Sequence, residues 1–177
     1  MAAAYVFPSF FFLFFFSAAV VSTTPELITH LHFYLHERIF FSPNATVMLA
    51  VDANPNSIAP SFGDIAVFDS VLREGVDPNS VLLGRAQGLF IFSDMAGSRG
   101  RVLTLINFEF TAGEYNGSTL SLLGGLYEEG VTERSVIGGT GHFRLARGYA
   151  LSEIINTTTT TYTVEFNIYV LTHQRRN

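Results

Sequence analysis

The stretch that decides the fold runs from Ser135 to Ala150 and reads SVIGGTGHFRLARGYA. Val136 and Ile137 are β-branched, which favours an extended chain, and they close a first apolar run. Glycines at 138, 139 and 141 follow, and glycine reaches positive φ angles without the steric cost that other residues meet. The stretch therefore predicts a strand, a glycine turn and a second strand.

The predicted second strand contains a charge in an unexpected place. Phe143, Leu145 and Tyr149 occupy one set of alternating positions, and Arg147 falls in the same, mostly apolar set. An arginine on an apolar face is costly unless another group pairs with it. Arg147 is therefore the charge in the chain that most invites a functional interpretation.

The same stretch also has part of a dinucleotide-binding turn. Gly139-Thr140-Gly141 follows a hydrophobic strand, but that motif needs a third glycine opening a helix, and Arg144 stands at its position. The motif also needs a βαβ unit, and the threonine-rich segment Thr157 to Tyr162 is a poor helix former. The sequence therefore argues against a nucleotide site.

Composition limits the classes of function. Of 177 residues, 48% are hydrophobic and only 14% are charged, so one domain with a substantial core is expected and disorder is not. The net charge of -5 argues against binding to nucleic acid, and no long basic run indicates a lipid surface. Cysteine is absent, which excludes a disulfide framework and cysteine-based metal or nucleophile chemistry.

The first 22 residues have the pattern of a secretory signal peptide. Residues 1–22 contain no charged side chain, and the apolar stretch Phe10 to Val21 is shorter than the roughly 20 residues that span a bilayer. Val20 and Ser22 suit the positions before a cleavage site, so we expect cleavage after Ser22 and a mature domain at 23–177. A buried N-terminal strand or a membrane anchor is the alternative interpretation.

Alternating patterns predict strands along most of the remaining chain. Thr29 to His36, Val102 to Phe110 and Tyr162 to Leu171 alternate apolar and mixed positions, as half-buried strands do. About eight strands separated by turn signals predict an all-β fold, either a sandwich or a closed antiparallel barrel. An eight-stranded barrel can hold one small ligand, and its outer face can contact further copies, so we expect a homo-oligomer.

The histidines of the first predicted strand allow a metal-site hypothesis. His30, His32 and His36 lie on one face of that strand, and a metal site would need further ligands from elsewhere, such as His142 or His173. Nothing in the sequence ties these residues together. We therefore expect solvent-facing or hydrogen-bonded histidines and no metal, with a metal-dependent enzyme in a cupin-like barrel as the competing hypothesis.

Three triplets fit the acceptor pattern for N-glycosylation. They begin at Asn44, Asn116 and Asn156, and each lies beside a predicted turn where a glycan would face water. Together with the predicted signal peptide, they indicate a secreted glycoprotein.

Four ordered motifs resemble those of the plant dirigent proteins. They are His32-Phe33-Tyr34-Leu35-His36, Gly84-Arg85-Ala86-Gln87-Gly88, Glu114-Tyr115-Asn116-Gly117-Ser118-Thr119-Leu120, and the glycine turn that leads into Ala146-Arg147-Gly148-Tyr149-Ala150. The resemblance runs from about Leu31 to Val170. It implies an eight-stranded antiparallel β-barrel like that of allene oxide cyclases, usually trimeric, in a protein secreted to the cell-wall space, the apoplast.

The resemblance also implies an activity. Dirigent proteins direct the stereochemistry of coupling between two phenoxy radicals, such as those of coniferyl alcohol, which gives lignans. An external oxidase or laccase makes the radicals, so the family implies a phenolic ligand, an oxidising partner and no cofactor of the protein's own. The alternative within the same fold is a non-catalytic wall-associated binding or scaffold protein that serves lignin deposition or defence.

The family pattern implies a set of site residues in this chain. Glu37, which follows the first-strand histidine, and Arg147 match the family's acid and arginine. His142 stands where an acid often follows the glycine turn, and we expect it to contribute to catalysis. Phe90 stands where a tyrosine is usual. His142 and Phe90 are thus the two positions where this chain departs from the pattern of lignan-forming members.

The remaining expectations concern the pocket itself. We expect Phe90, Phe33 and Phe143 to contact the substrate. If Glu37 and Arg147 both face the barrel interior, stereocontrol is favoured. If both face outward, a scaffold role is favoured.

Overall fold

The structure is a computed structural model that describes residues 26–40, 42–96, 102–127 and 130–173. The predicted signal peptide at 1–22 and its cleavage after Ser22 lie outside these residues and stay predictions.

The described part of the chain is built almost entirely of strands. Their bounds are β1 Glu26–Arg38, β2 Val47–Val51, β3 Ile65–Arg73, β4 Leu82–Ile91, β5 Val102–Phe110, β6 Thr119–Leu126, β7 Thr132–Gly139, β8 Arg147–Thr157 and β9 Thr161–His173. A single 3₁₀ turn covers Gly141–Phe143. Within the described ranges, no helix has the length and hydrophobicity needed to span a bilayer.

The strands close into an antiparallel barrel. Their order is β1-β9-β8-β7-β6-β5-β4-β3-β2, and β1 also pairs with β3 from Tyr34–Arg73 to His36–Val71. The pairing of β1 with β3 joins the two edges of the sheet, so eight strands form a closed wall. The short β2 pairs with the first part of β3, for example as Val47–Phe68. The predicted eight-stranded antiparallel barrel is confirmed.

Aromatic side chains fill the middle of the barrel. The ring centroids of Phe33 and Phe108 lie 5.0 Å apart, and those of Phe108 and Phe166 lie 5.2 Å apart, both in edge-to-face geometry. This arrangement is favourable because the positive ring edge meets the negative ring face. The packed rings form a floor that divides the barrel interior.

The glycine turn differs from its prediction. The first strand ends at Gly139, the chain then makes the 3₁₀ turn, and β8 begins only at Arg147. Leu145 has a φ angle of 61° and is 76% exposed, so the chain reverses there and the alternation from Phe143 to Tyr149 is interrupted. The expected continuous second strand is wrong for this reason.

The two ends of the barrel are far apart. Glu37 pairs with Tyr162 on β9, whereas Arg147 pairs with Leu171 on the same strand. At 3.2–3.4 Å per residue, these points on β9 are separated by about 30 Å. We refer to them below as the Glu37 end and the Arg147 end.

Candidate active site

The Glu37 end of the barrel contains a cavity of about 330 Å³. Its wall is mostly apolar, and its aromatic members are Phe40, Phe68, Phe90, Phe92, Tyr162 and Phe166. The charged side chains in the described lining are those of Glu37 and Arg134. This volume falls in the range of about 300–1,000 Å³ typical of small-molecule sites, which combine apolar walls with a few placed polar groups.

Glu37 is buried in this wall. Glu37 is 6% exposed, and its Oε1 atom has no hydrogen-bond partner among the described residues. Burial raises the pKa of the carboxyl from 4.5 to about 7, because the charged form loses its hydration, while the positive charge of Arg134 acts in the opposite direction. Glu37 is therefore poised to donate or accept a proton near neutral pH.

Arg134 is held rigidly beside the cavity. Its Nε donates to Thr104 Oγ1 at 2.8 Å, and its Nη1 donates to Ser152 Oγ. Its Cζ lies 5.8 Å from the ring centroid of Phe166, within reach of a cation–π interaction. Burial lowers the pKa of the guanidinium to about 10, opposed by the Glu37 charge. Arg134 thus remains a cation at neutral pH.

A glycine makes room for this arginine. A Cβ built on Gly124 would lie 3.0 Å from Cγ of Arg134 and 3.1 Å from its Cα. The Gly124 carbonyl also accepts the hydroxyl hydrogen of Thr104, which leaves the Thr104 oxygen oriented to accept from the guanidinium. The position of the charge is therefore fixed by β5, β6 and β7 together.

Two of the predicted site residues line the cavity. Glu37 faces the interior as expected, and Phe90 stacks on Phe68 with ring centroids 4.6 Å apart. Phe33 is 2% exposed and belongs to the aromatic floor, where it is not among the cavity-lining residues. The expectation that Phe33 contacts the substrate is not supported by this placement.

The other predicted residues lie at the Arg147 end. The side chain of Arg147 is exposed, so of the two orientations considered for it, inward and outward, the structure shows the outward one. His142 is exposed, with its ring 5.9 Å from that of Tyr115, and Phe143 is 1% exposed in the core. The turn at Leu145 explains the outward orientation of Arg147, because it breaks the alternation that links the buried Phe143 to Arg147. The structure does not bring these three residues to the Glu37 cavity.

Sequence reasoning missed Arg134. Thr132, Arg134 and Val136 alternate with Glu133 and Ser135, and the first set is buried. The alternation could have located it, because Arg134 lies two residues before the apolar Val136 and so faces the same side of the strand. The interior arginine of this barrel is therefore on β7.

The histidines of β1 take part in hydrogen bonds on the outer surface. His30 Nε2 lies 3.0 Å from Asn167 Oδ1, and His32 Nε2 lies 2.7 Å from Glu165 Oε1. In the part of the chain that the structure describes, no group of three potential ligands is arranged to hold a metal ion. The three sequon asparagines, Asn44, Asn116 and Asn156, are all exposed.

The fold and the cavity together define a class of protein. This class is a closed antiparallel barrel that encloses an apolar small-molecule pocket with one buried acid and one buried arginine. Comparison with known proteins narrows the class. A family model described as dirigent-like protein matches residues 28–171.

Curated relatives and a solved structure agree with this match. Dirigent protein 11 of Arabidopsis thaliana is 41% identical over 149 residues, which cover 82% of this chain and 75% of that protein. Pterocarpan synthase 1 of Glycyrrhiza echinata is 35% identical over 158 residues, covering 85% of this chain and 81% of that protein. A solved pterocarpan synthase dirigent protein, GePTS1, superposes with a TM-score of 0.78 at 33% identity, over 89% of this chain and 98% of that one. The chain belongs to the dirigent protein family.

Proposed function

We propose that this protein controls the stereochemistry of coupling between phenoxy radicals, which it holds in the cavity at the Glu37 end. The observation that carries the proposal is the pair of buried ionisable groups, Glu37 and Arg134, in an otherwise apolar pocket. Membership of the dirigent family supports the general class of reaction. The finer proposal is that two coniferyl alcohol radicals are coupled to an optically active lignan.

The protein's main contribution to such a reaction is positioning. Each radical supplies one electron to the new carbon–carbon bond, so the coupling needs no electron from the protein. An external oxidase or laccase removes one electron and one proton from each phenol beforehand. Coupling of two radicals has a small barrier, so the product is determined by which faces meet, and a rigid aromatic wall fixes those faces. Phe90 and Phe68 provide such a wall.

The two ionisable groups suit the step after coupling. Coupling leaves a quinone methide, whose carbonyl oxygen becomes a phenol when an internal hydroxyl attacks the methide carbon. In this proposal Glu37 donates a proton to that oxygen, the attacking hydroxyl gives its own proton to water as the ring closes, and Glu37 takes a proton back from water. Arg134 stabilises the negative charge that develops on the oxygen. A carboxyl with a pKa of about 7 is suited to this transfer near neutral pH.

A second candidate function comes from the relatives named pterocarpan synthase. Two solved structures carry that description, and each is 33% identical to this chain. Under this alternative, the same cavity closes a ring in a pterocarpan-forming substrate without radical coupling. A product from that substrate in the absence of any oxidase would favour this reaction over the first.

The non-catalytic scaffold hypothesis depended on where the acid and the arginine face. Glu37 faces inward and Arg147 does not, so neither of the two expected arrangements occurs. Because Arg134 supplies an interior arginine instead, the arrangement supports a chemical role for the cavity.

The test supplies coniferyl alcohol, a laccase and the protein, and analyses the products by chiral chromatography. An enantiomeric excess that grows with protein concentration is the expected result. The control replaces this protein with an equal mass of serum albumin and should give a racemate. Racemic products from coniferyl alcohol and from several other phenols, together with no product from a pterocarpan-forming substrate, would contradict both functions.

We further propose that the protein is exported to the apoplast as a glycoprotein, and that it leaves the membrane after signal cleavage. The charge-free segment at 1–22 and the exposed positions of Asn44, Asn116 and Asn156 support this. N-terminal sequencing of secreted material should begin at Thr23. Secreted material that begins before Phe10, or that has the same gel mobility after deglycosylation, would count against it.

A further inference from the structure

A second concavity, which we call the outer groove, lies outside the barrel where β1 meets β3 and β9. It has a volume of about 390 Å³ and shares with the internal cavity only the lining residues Glu37 and Tyr162. Successive strand residues face opposite sides, so His36 and Arg38 face this groove while Glu37 faces the barrel interior. The groove is therefore a separate site, open to solvent on the other side of the wall.

The outer groove is lined by basic side chains, namely His36, Arg38 and Arg73. The Nη1 atoms of Arg38 and Arg73 donate to the backbone carbonyls of Pro43 and Ser80. Among the described residues, neither arginine forms an ion pair with a carboxylate. A guanidinium has five N–H donors, so each arginine is oriented by the fold and retains donors for a further partner.

Acidic side chains are scarce in the described lining of the outer groove. The described lining contains one carboxylate, that of Glu37, which belongs to the internal cavity. Of the acids near the groove, Glu165 is paired with His32, and Glu74 and Asp77 are not among the lining residues. The chain as a whole carries a net charge of -5, so this local positive charge is not a consequence of overall composition.

The rest of the lining consists largely of uncharged hydrogen-bonding groups. Hydroxyl groups come from Thr46, Thr161 and Thr163, and side-chain amides come from Asn44 and Asn156. Hydroxyl and amide groups both donate and accept, which matches the hydroxyl groups of a sugar ring. The volume lies within the range of small-ligand sites.

We propose that the outer groove binds an acidic saccharide. Arg38 and Arg73 hold its carboxylate, because a guanidinium presents paired N–H donors that fit two carboxylate oxygens. The threonine side chains of the lining contact its hydroxyl groups, and the site is that of the protein without glycans at Asn44 and Asn156. The proposal does not depend on the function of the internal cavity.

Isothermal titration calorimetry with trigalacturonate tests this site. The mature chain is produced without N-glycans, since Asn44 and Asn156 line the groove. Arg38→Gln and the double variant Arg38→Gln/Arg73→Gln should weaken binding at least 10-fold. Arg85→Gln is the matched control, because Arg85 is paired with Asp69 on the outer surface of β3 and β4, outside the groove, and it should bind as the unmodified protein does.

Two further ligands show whether binding requires both the carboxylate and the sugar rings. Maltotriose, which has no carboxylate, should bind at least 10-fold more weakly than trigalacturonate, and inorganic phosphate should compete poorly. Arg38 is exposed, so its single variant keeps the test valid even if loss of the Arg73 bond to Ser80 disturbs the 74–80 loop. Absence of saturable binding, equal binding by Arg38→Gln, or phosphate binding as tight as that of the saccharide would each overturn the proposal.

Discussion

At the scale of single residues, the proposed chemistry depends on a carboxyl group that the barrel keeps protonated to an unusually high pH. Glu37 has a pKa raised from 4.5 to about 7, mainly because it is buried, and its Oε1 has no hydrogen-bond partner. A carboxyl with its ordinary pKa would be almost fully ionised at neutral pH and would have no proton to give. Burial therefore provides the acid at the cost of some stability.

That cost gives a prediction for stability. A raised pKa means that folding favours the protonated form, so the stability associated with Glu37 is complete below pH 4.5 and is lost as the pH rises from 4.5 to about 7. The loss is on the order of 3 kcal/mol. The Glu37→Gln variant carries no ionisable group and should lack this loss, so it should be the more stable protein at pH 8.

Urea unfolding at intervals from pH 4 to pH 8 measures the effect. Glu153→Gln removes a carboxylate from the exposed outer surface of β8 and serves as the control. Parallel pH profiles for the unmodified protein and Glu37→Gln would show that Glu37 does not titrate in this range.

The second residue-scale prediction concerns Arg134. Its positive charge lowers the pKa of Glu37 and so opposes the effect of burial. In Arg134→Gln the pKa of Glu37 should therefore rise above about 7, and the pH dependence of product formation should shift to higher pH with it. Arg147→Gln makes the same charge change at the other end of the barrel and should leave the profile unchanged. A pH profile that is shifted by Arg147→Gln and not by Arg134→Gln would contradict a reaction at the Glu37 end.

The family resemblance singled out Glu37 and Phe90, because each lies beside one of the motifs that carry the resemblance. The sequence did not allow Arg147 to be placed, because a leucine with positive φ at position 145 resets the alternation, and leucine gives no warning of that conformation. Arg134 was missed although it is in phase with Val136 on β7. The face of a residue on an uninterrupted strand can thus be read from the alternation, whereas the face of Arg147, beyond an irregular turn, cannot.

At the scale of secondary-structure elements, close contact between neighbouring strands shapes the cavity wall. β4 approaches β5 closely at Gly88, where an added Cβ would lie 2.0 Å from the Leu105 carbonyl oxygen and 2.7 Å from the Phe68 ring. Backbone and a stacked aromatic ring cannot yield easily. The glycine therefore allows the Phe68–Phe90 stack that lines the pocket.

Gly88→Ala should consequently destabilise the fold by about 1–3 kcal/mol and disturb the cavity wall. Gly125→Ala on β6 is the matched control, because no atom lies within 4 Å of its added Cβ. Thermal unfolding of both variants measures the difference. Equal melting temperatures would contradict the packing described for β4 and β5.

At the scale of the whole molecule, the barrel presents an apolar row on its outer surface. Met48, Val67, Leu89, Leu105 and Leu123 are cross-strand partners in sequence across five strands. Met48 is 64% exposed, and Val67, Leu105 and Leu123 are each about 40% exposed. An exposed apolar surface of this kind is suited to association with another protein surface.

We expect this row to form the contact between copies of the chain, so that the protein is a homo-oligomer, either a trimer or a dimer. Leu105→Glu places a charge within the row and should shift light scattering towards the monomer mass. Leu82→Glu, at an exposed position at the start of β4, should leave the assembly unchanged. An unmodified protein that scatters as a monomer at micromolar concentration would remove this expectation.

The central claim is that the hand of the product is decided inside the cavity at the Glu37 end. The most direct test is the enantiomeric excess obtained with Val164→Phe, which adds a ring to the cavity wall, compared with Ile137→Phe on the exposed outer face of β7. If both variants remain folded, Val164→Phe should give a nearly racemic product while Ile137→Phe retains the excess of the unmodified protein. An enantiomeric excess unchanged by Val164→Phe would contradict the claim.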